Sequence, residues 1–159
     1  MKNNPTLLVA KGKFHSAHEE SRNNLFMERD NMLRSGKSAS DEDVVALTKQ
    51  IMQLDSMSKQ DKYEQRRTHI RKLADAIYAV MSSHGYLNVR SVGMEATYNA
   101  TKSIAIACDL CREKNIELCF EVAFDEGDIG FPRDKGHVRS VTAMLFKLKD
   151  FSSNESRTD

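Results

Sequence analysis

Basic side chains concentrate between residues 59 and 72, where they outnumber the acidic ones. The cations of this segment are Lys59, Lys62, Arg66, Arg67, Arg71 and Lys72. Cations at a helix amino terminus oppose the helix dipole slightly, so stability does not explain those that begin the next predicted helix. Contact with the phosphates of a nucleic acid would explain them, and the simpler alternative is a solvated helix face. The net charge of +1 argues against general DNA coating, so binding would need a localised basic surface.

Other residue types offer weaker chemistry. The segment Gly36-Lys37-Ser38 lacks the earlier glycine of a phosphate-binding loop, because Asn31 occupies that position, so we predict a linker there. Cys108–Cys111 has the spacing of half a zinc or redox site, but Cys119 is the only other thiol in the chain, which favours packing cysteines. The acidic turn Asp125–Asp128 has no EF-hand spacing and favours a solvated turn.

No arrangement of nucleophile, base and orienting group is recognisable, and the five histidines are scattered along the chain. We therefore predict no catalytic residue, no metal site and no cofactor, and expect a binding protein rather than an enzyme. No segment approaches the roughly 20 apolar residues that a membrane span requires. A cytoplasmic protein, associated with a nucleoid or a ribonucleoprotein, is the expectation.

Periodicity predicts the elements that must position the cations. In chain order, the predicted core comprises a strand at Thr6–Phe14, a helix ending before Gly85, a strand at Leu87–Val92, a helix from Gly93 to Lys114, and strands at Ile116–Phe124 and Ser140–Lys149. This order predicts the α/β class, as a compact two-layer sandwich of β-α-β-α-β-β order. The last two strands would form a long hairpin across Asp125–Arg139.

A helical insertion is predicted between the first strand and the first core helix. The predicted division is a core domain of residues 1–14 and 66–150, an insertion of residues 15–65 and a disordered tail of residues 151–159. Within the insertion, Ala17–Arg34 is predicted to be helical. An amphipathic stripe follows, and it is a candidate surface for a protein partner; its residues are Val44, Leu47, Ile51 and Leu54.

The helix after Gly93 has an unusual apolar pattern. Its segment Ile104–Cys108 is apolar on every side, whereas a surface helix keeps a polar stripe. We therefore expect this helix to pack on its own sheet and also to be covered by something else, such as a second subunit.

The segment Val92–Ala107, VGMEATYNATKSIAIA, resembles the core signature of the stage V sporulation protein S family, which has the Alba-like fold. The matching features are Gly93, Ala96, Ala100, Lys102 and the Ala105-Ile106-Ala107 ending. The resemblance implies a homodimer formed through the second core helix, Ala100–Cys111, and the closing strands. It also implies a nucleic-acid-binding face built from the loop after the first strand, the second strand and the hairpin arms.

Basic residues at the positions implied by the resemblance complete the predicted site. They are Lys11 and Lys13 after the first strand, Arg90 on the second strand, and Arg133, Lys135 and Arg139 in or beside the hairpin arm. Together with Arg66, Arg67, Arg71 and Lys72, we expect them to form one cradle for phosphate. Acidic residues in the hairpin, Asp125, Glu126 and Asp128, would repel phosphate there.

The predicted function is therefore phosphate-dominated, weakly sequence-selective binding of nucleic acid by a dimer, with RNA favoured over DNA. The near-neutral charge and the acidic hairpin carry the preference for RNA. The alternative is a protein–protein adaptor or assembly component that has lost nucleic-acid binding and docks another chain on the stripe of the insertion.

Overall fold

The computed structural model describes residues 4–9, 12–130 and 138–153, apart from the side chains of residues 126–130 and 138–141. In chain order the elements are β1 (Thr6–Val9), α1 (His18–Arg34), α2 (Glu42–His84), β2 (Tyr86–Ser91), α3 (Met94–Arg112), β3 (Leu118–Gly130) and β4 (Val138–Asp150). The predicted α/β class is confirmed, since a four-stranded mixed sheet packs against helices.

The chain divides into two compact units. Met1–Gly12 and His69–Asp159 form the first, called here the core unit, and Lys13–Thr68 form the second, called here the hairpin unit. The boundary falls inside α2, which contributes residues to both units. Of the predicted tail, residues 154–159 lie outside the described residues.

The sheet of the core unit has the strand order β1-β2-β4-β3. Strand β1 pairs parallel to β2, while β4 pairs antiparallel to both β2 and β3. Alternation along β2 sends Leu87 and Val89 to one face, where they meet Leu148 and Phe146 of β4. Because the buried residues of α2 and α3 belong to the same cluster, the helices cover this face of the sheet.

Helix α2 is longer than the sequence analysis predicts. Two separate helices were expected, one for the stripe of the insertion and one for the core, but Glu42–His84 forms a single helix of 43 residues. The reason is that residues 42–84 contain neither glycine nor proline, so nothing interrupts the backbone hydrogen bonds. The helix ends where predicted, at Gly85, whose φ of +72° suits a helix terminus.

Helix α3 follows Gly93, as predicted, and is buried mainly on one side. Ala100, Ile104, Ala107 and Cys111 lie in the core, whereas Ala105 is exposed. The expectation of a helix buried all round is therefore met only in part within the single chain. Its amino-terminal half is fixed to α2 by Ser103, whose Oγ lies 3.0 Å from the carbonyl oxygen of Ile70.

The hairpin unit consists of α1 and the first part of α2, which run antiparallel. Arg22 of α1 donates from Nη1 to Oδ1 of Asp55 at 2.9 Å, and Lys62 binds Oε1 of Glu19. At the open end of the hairpin, Ser16 Oγ donates to Oδ2 of Asp61 at 2.6 Å. Within the described part of the chain, none of the helices has the length and hydrophobicity needed to cross a membrane.

Candidate nucleic-acid interface

Arg71 and Lys72 lie on the solvent side of α2 within the core unit. Their neighbours Ile70, Ala74 and Ile77 turn to the opposite side and are buried in the core. Arg71 and Lys72 are both exposed, and among the described residues no carboxylate lies within ion-pair distance of either. These two cations are therefore available to an anionic ligand.

Arg90 does not join that surface. It follows Val89 on β2 and therefore points to the face of the sheet opposite the helices, so the sheet separates it from α2. Its side chain is only 21% exposed, and its Nε lies 3.1 Å from Oδ2 of Asp125 on β3. The prediction that Arg90 shares one region with Arg71 and Lys72 is wrong, because strand alternation, not position along the chain, decides the face.

The hairpin unit brings together a second group of predicted cations. The guanidinium carbon of Arg66 lies 5.5 Å from the ring centre of Phe14, and Lys13 precedes Phe14 in the chain. Lys13 and the neighbouring Arg67 are exposed. Lys13, Arg66 and Arg67 therefore lie at the open end of the hairpin, where residues 13–16 meet residues 61–67.

The remaining predicted cations fall where the structure gives no side-chain geometry. Lys11, Arg133 and Lys135 lie outside the described residues, and Arg139 lies in β4 with its side chain outside the description. Their part in a phosphate-binding surface stays a prediction.

Two lysines of β4 were not among the predicted site residues. Lys147 and Lys149 pair with Asn88 and Tyr86 of β2, on the face of the sheet that the helices leave uncovered. Lys149 is exposed, while Nζ of Lys147 lies 3.6 Å from Oε1 of Glu121. The signal was available in the sequence, since both lysines alternate with the core residues Phe146 and Leu148.

The cysteines form no closed ligand set. Within the described ranges no three histidine, cysteine, aspartate or glutamate side chains are grouped to hold a metal ion. Cys108, Cys111 and Cys119 are free thiols. Burial raises the pKa of Cys108 and of Cys111, which keeps both as neutral thiols at neutral pH. Cys108 lines an open cavity of about 440 Å³ with Leu118 of β3.

An exposed apolar strip runs along β3, the edge strand of the sheet. Phe120, Val122 and Phe124, called here the edge strip, pair with the helix-facing residues of β4, yet Phe124 is 75% exposed and the other two are about half exposed. The side of α3 nearest β3 carries Cys108, as their shared cavity places it, and therefore also the exposed Ala105. The strip is thus an apolar surface that the single chain leaves uncovered.

The stripe proposed for a protein partner is largely occupied within the chain. Val44 is 2% exposed and Ile51 8%, and Leu47 and Leu54 are half-buried. Ile51 shares a cavity lining with Phe26, so α1 lies beside it. The prediction that Val44 and Ile51 are free to dock another chain is therefore wrong, because the insertion folds as a hairpin that buries the stripe.

Comparison with known proteins gives one match. Residues 65–149 match the profile of a family described as Stage V sporulation protein S (SpoVS), which is more than half of the 159 residues. Among curated proteins none matches. The matched range begins within α2 and ends in β4, so it includes Arg71, Lys72, Arg90 and the whole edge strip.

Proposed function

The chain belongs to the stage V sporulation protein S family, and we propose that it is a non-enzymatic, dimeric nucleic-acid-binding protein. RNA is the favoured ligand over DNA. Binding is dominated by phosphate contacts and is weakly selective for sequence, as expected where lysine and arginine supply the contacts.

The observation that carries this proposal is the state of Arg71 and Lys72. Both are exposed, and in the described part of the chain neither is held by a carboxylate. A cation without an internal partner binds phosphate and releases the counterions of the nucleic acid, which favours association. Arg90 and Lys147 contribute less, because each would first have to leave Asp125 or Glu121.

The charge balance supports RNA over DNA. A net charge of +1 gives no strong general attraction to a duplex, so few phosphate contacts must be supplemented by others. Tyr63 is exposed, and its ring offers a surface on which unpaired bases stack. Unpaired bases are more common in RNA than in duplex DNA, which is the reason for the preference.

The edge strip supports a dimer. Phe120, Val122 and Phe124 lie at the edge of the sheet beside the side of α3 that carries Ala105 and Cys108. A second copy that covers this surface removes three large apolar side chains from water and closes an open sheet edge. The proposed interface thus uses β3 and the exposed side of Ala100–Cys111, since the other side of that segment is already buried.

The test is a binding titration with RNA and with DNA at two salt concentrations. The double variant Arg71→Glu with Lys72→Glu is expected to weaken binding to all sequences alike and to reduce the salt dependence of the binding constant by about two counterions. The matched control is Arg34→Glu with Lys114→Glu, which changes the charge equally at two other exposed cations. Absence of binding to both polymers at low salt would contradict the proposal, and an equal loss in the control would contradict the site.

A further inference from the structure

The hairpin unit exposes apolar side chains along one flank. Phe26 and Leu33 of α1, with Val45 and Met52 of α2, are called here the hairpin seam. Phe26 is 47% exposed and Met52 68%, and Leu33 and Val45 are also among the exposed large apolar residues. The unit buries only two large apolar side chains of its own among its described residues, so it is a single layer of helices without a second layer to cover it.

The four seam residues lie on the same flank. Phe26 and Met52 line one cavity of about 420 Å³ between the two helices. Leu33 and Val45 are seven residues away from them, two helical turns, and so lie on the same sides of their helices. The pairing of Arg22 with Asp55 sets the antiparallel register, which places Phe26 level with Met52 and Leu33 level with Val45.

Charged residues border the seam with opposite signs on the two helices. Glu19 and Asp30 lie on the seam side of α1, seven residues before and four residues after Phe26. Lys49 and Lys59 lie on the seam side of α2, three residues before and seven after Met52. In the register of the hairpin, Glu19 is level with Lys59 and Asp30 with Lys49.

We propose that the hairpin seam binds the seam of a second copy of this chain, with α1 of one copy against α2 of the other. A two-fold axis parallel to the helices then closes an antiparallel four-helix bundle. Phe26 meets the second copy's Met52, and Leu33 meets its Val45. This interface is separate from the edge strip and does not depend on nucleic-acid binding.

Charge is the reason to assign a second copy to the seam. A two-fold interface must be complementary to itself. An acidic border on α1 and a basic border on α2, level with one another, satisfy that condition when α1 faces α2 of the other copy. Within one chain, Glu19 contacts Lys62 and Lys59 contacts Asp55. Such exposed pairs are weak, so the same groups can also form pairs across the interface.

Sedimentation of the full-length chain tests the proposal after the edge strip has been blocked by Val122→Asp with Phe124→Asp. This edge-strip variant is expected to remain a concentration-dependent dimer, held by the seam. Adding Phe26→Asp with Met52→Asp is expected to convert it to a monomer. A monomeric edge-strip variant with intact helical circular dichroism at every concentration would overturn the seam. An edge-strip variant with the wild-type dissociation constant would instead remove only the core dimer of the proposed function.

The matched control is Met27→Asp with Met57→Asp in the same background. Both methionines are exposed, one on each helix of the hairpin, and both lie off the seam. We expect this variant to stay dimeric, because the same chemical change is made outside the interface. Equal dissociation in the control would overturn the assignment to the seam.

Charge exchange tests the orientation of the two copies. Asp30→Lys and Lys49→Glu, made separately in the edge-strip variant, each place like charges against each other twice in the two-fold bundle. We expect each to raise the dissociation constant about tenfold. A mixture of the two variants restores both attractive pairs, so heterodimers are expected at about the original dissociation constant. A mixture that associates no better than either variant alone would overturn the pairing of α1 with α2 between copies.

Discussion

The core unit and the hairpin unit stabilise themselves in different ways. In the core unit, residues from three strands and two helices form one buried cluster that includes Ile77, Val89 and Phe146. In the hairpin unit, the two helices meet through a few apolar contacts and through exposed pairs such as Arg22 with Asp55. The first unit therefore has a core that excludes water, whereas the second depends on contacts that water can replace.

The difference indicates what each unit is suited to do. A closed core holds Arg71 and Lys72 on a rigid helix, so a phosphate-binding surface there keeps its geometry. A single layer of helices gains stability when another layer covers it, because that burial supplies the apolar contacts it lacks. The hairpin is therefore the unit whose stability should respond most to association.

The largest expected difference between the units comes from removing a buried isoleucine. Ile77→Ala leaves a cavity in the core, because Ile77 is fully buried among residues of α2, α3 and the sheet. We expect the free energy of unfolding of the core unit to fall by about 2–5 kcal/mol. Urea titration followed by circular dichroism, with the rate of thiol labelling at the buried Cys111 as a probe of the core, measures the change.

The matched change in the hairpin is Ile51→Ala. The thin helical layer can close around the missing atoms, so we expect a loss of about 1–2 kcal/mol, close to the transfer term alone. The labelling rate of Cys111 should stay near the wild-type value in this variant. Equal losses from the two substitutions would mean that the hairpin is packed as tightly as the core.

A buried hydroxyl group provides a smaller test of the same comparison. Ser103 is fully buried, and its Oγ lies within hydrogen-bond distance of the carbonyl oxygens of Asn99 and Ile70. Ser103→Ala is expected to lower the free energy of unfolding of the core unit by about 1 kcal/mol, because a hydrogen bond that joins α3 to α2 is lost. Ser16→Ala removes the bond to Asp61 in the hairpin and should leave the labelling of Cys111 unchanged. Faster labelling in both variants would contradict the separation into two units.

Much of the core was predictable from alternation and turn chemistry. Leu87 and Val89 alternate with polar residues on β2, and Gly93 begins α3 with a backbone angle that favours glycine. Local patterns of this kind fix which residues form strands and helices. The order β-α-β-α-β-β of the core followed from them.

The single helix α2 was missed because amphipathic patterning weakens in its middle. Residues 55–65 are mostly polar, and weak patterning was taken as the end of a helix. The more informative feature was the absence of any glycine or proline between Glu42 and His84. A polar segment without a helix breaker continues a helix when strong apolar contacts hold it at both ends.

The candidate site was harder to predict because it depends on strand order. Phe120, Val122 and Phe124 have the pattern of a core strand, and only their position at the sheet edge leaves them exposed. The pairing of Arg90 with Asp125 likewise requires β2 and β3 to lie on either side of β4. Neither position follows from residue spacing along the chain.

Acidification gives the smallest expected effect and separates the two units by charge. In the hairpin unit, hydrogen bonds from Lys62, Lys37 and Lys59 lower the pKa of Glu19, Asp43 and Asp55 respectively. A lowered pKa in the folded state contributes stability above the unfolded value, near 4, and that stability is lost as the pH falls through the folded value. We therefore expect the hairpin to loosen before the core as the pH falls from 5 towards 3.

Alkaline solution should reverse the order of loss. Burial raises the pKa of Cys108 and Cys111 in the core unit, so their contribution is present below the unfolded value, near 8.5, and is lost as the pH rises through the folded value. Amide NMR signals of α1 and α3, followed at constant ionic strength, report on the two units separately. We expect α1 signals to change first in acid and α3 signals first in alkali, with the alkaline change reduced in Cys111→Ala. Simultaneous change of both helices in acid would show that the hairpin and the core unfold together.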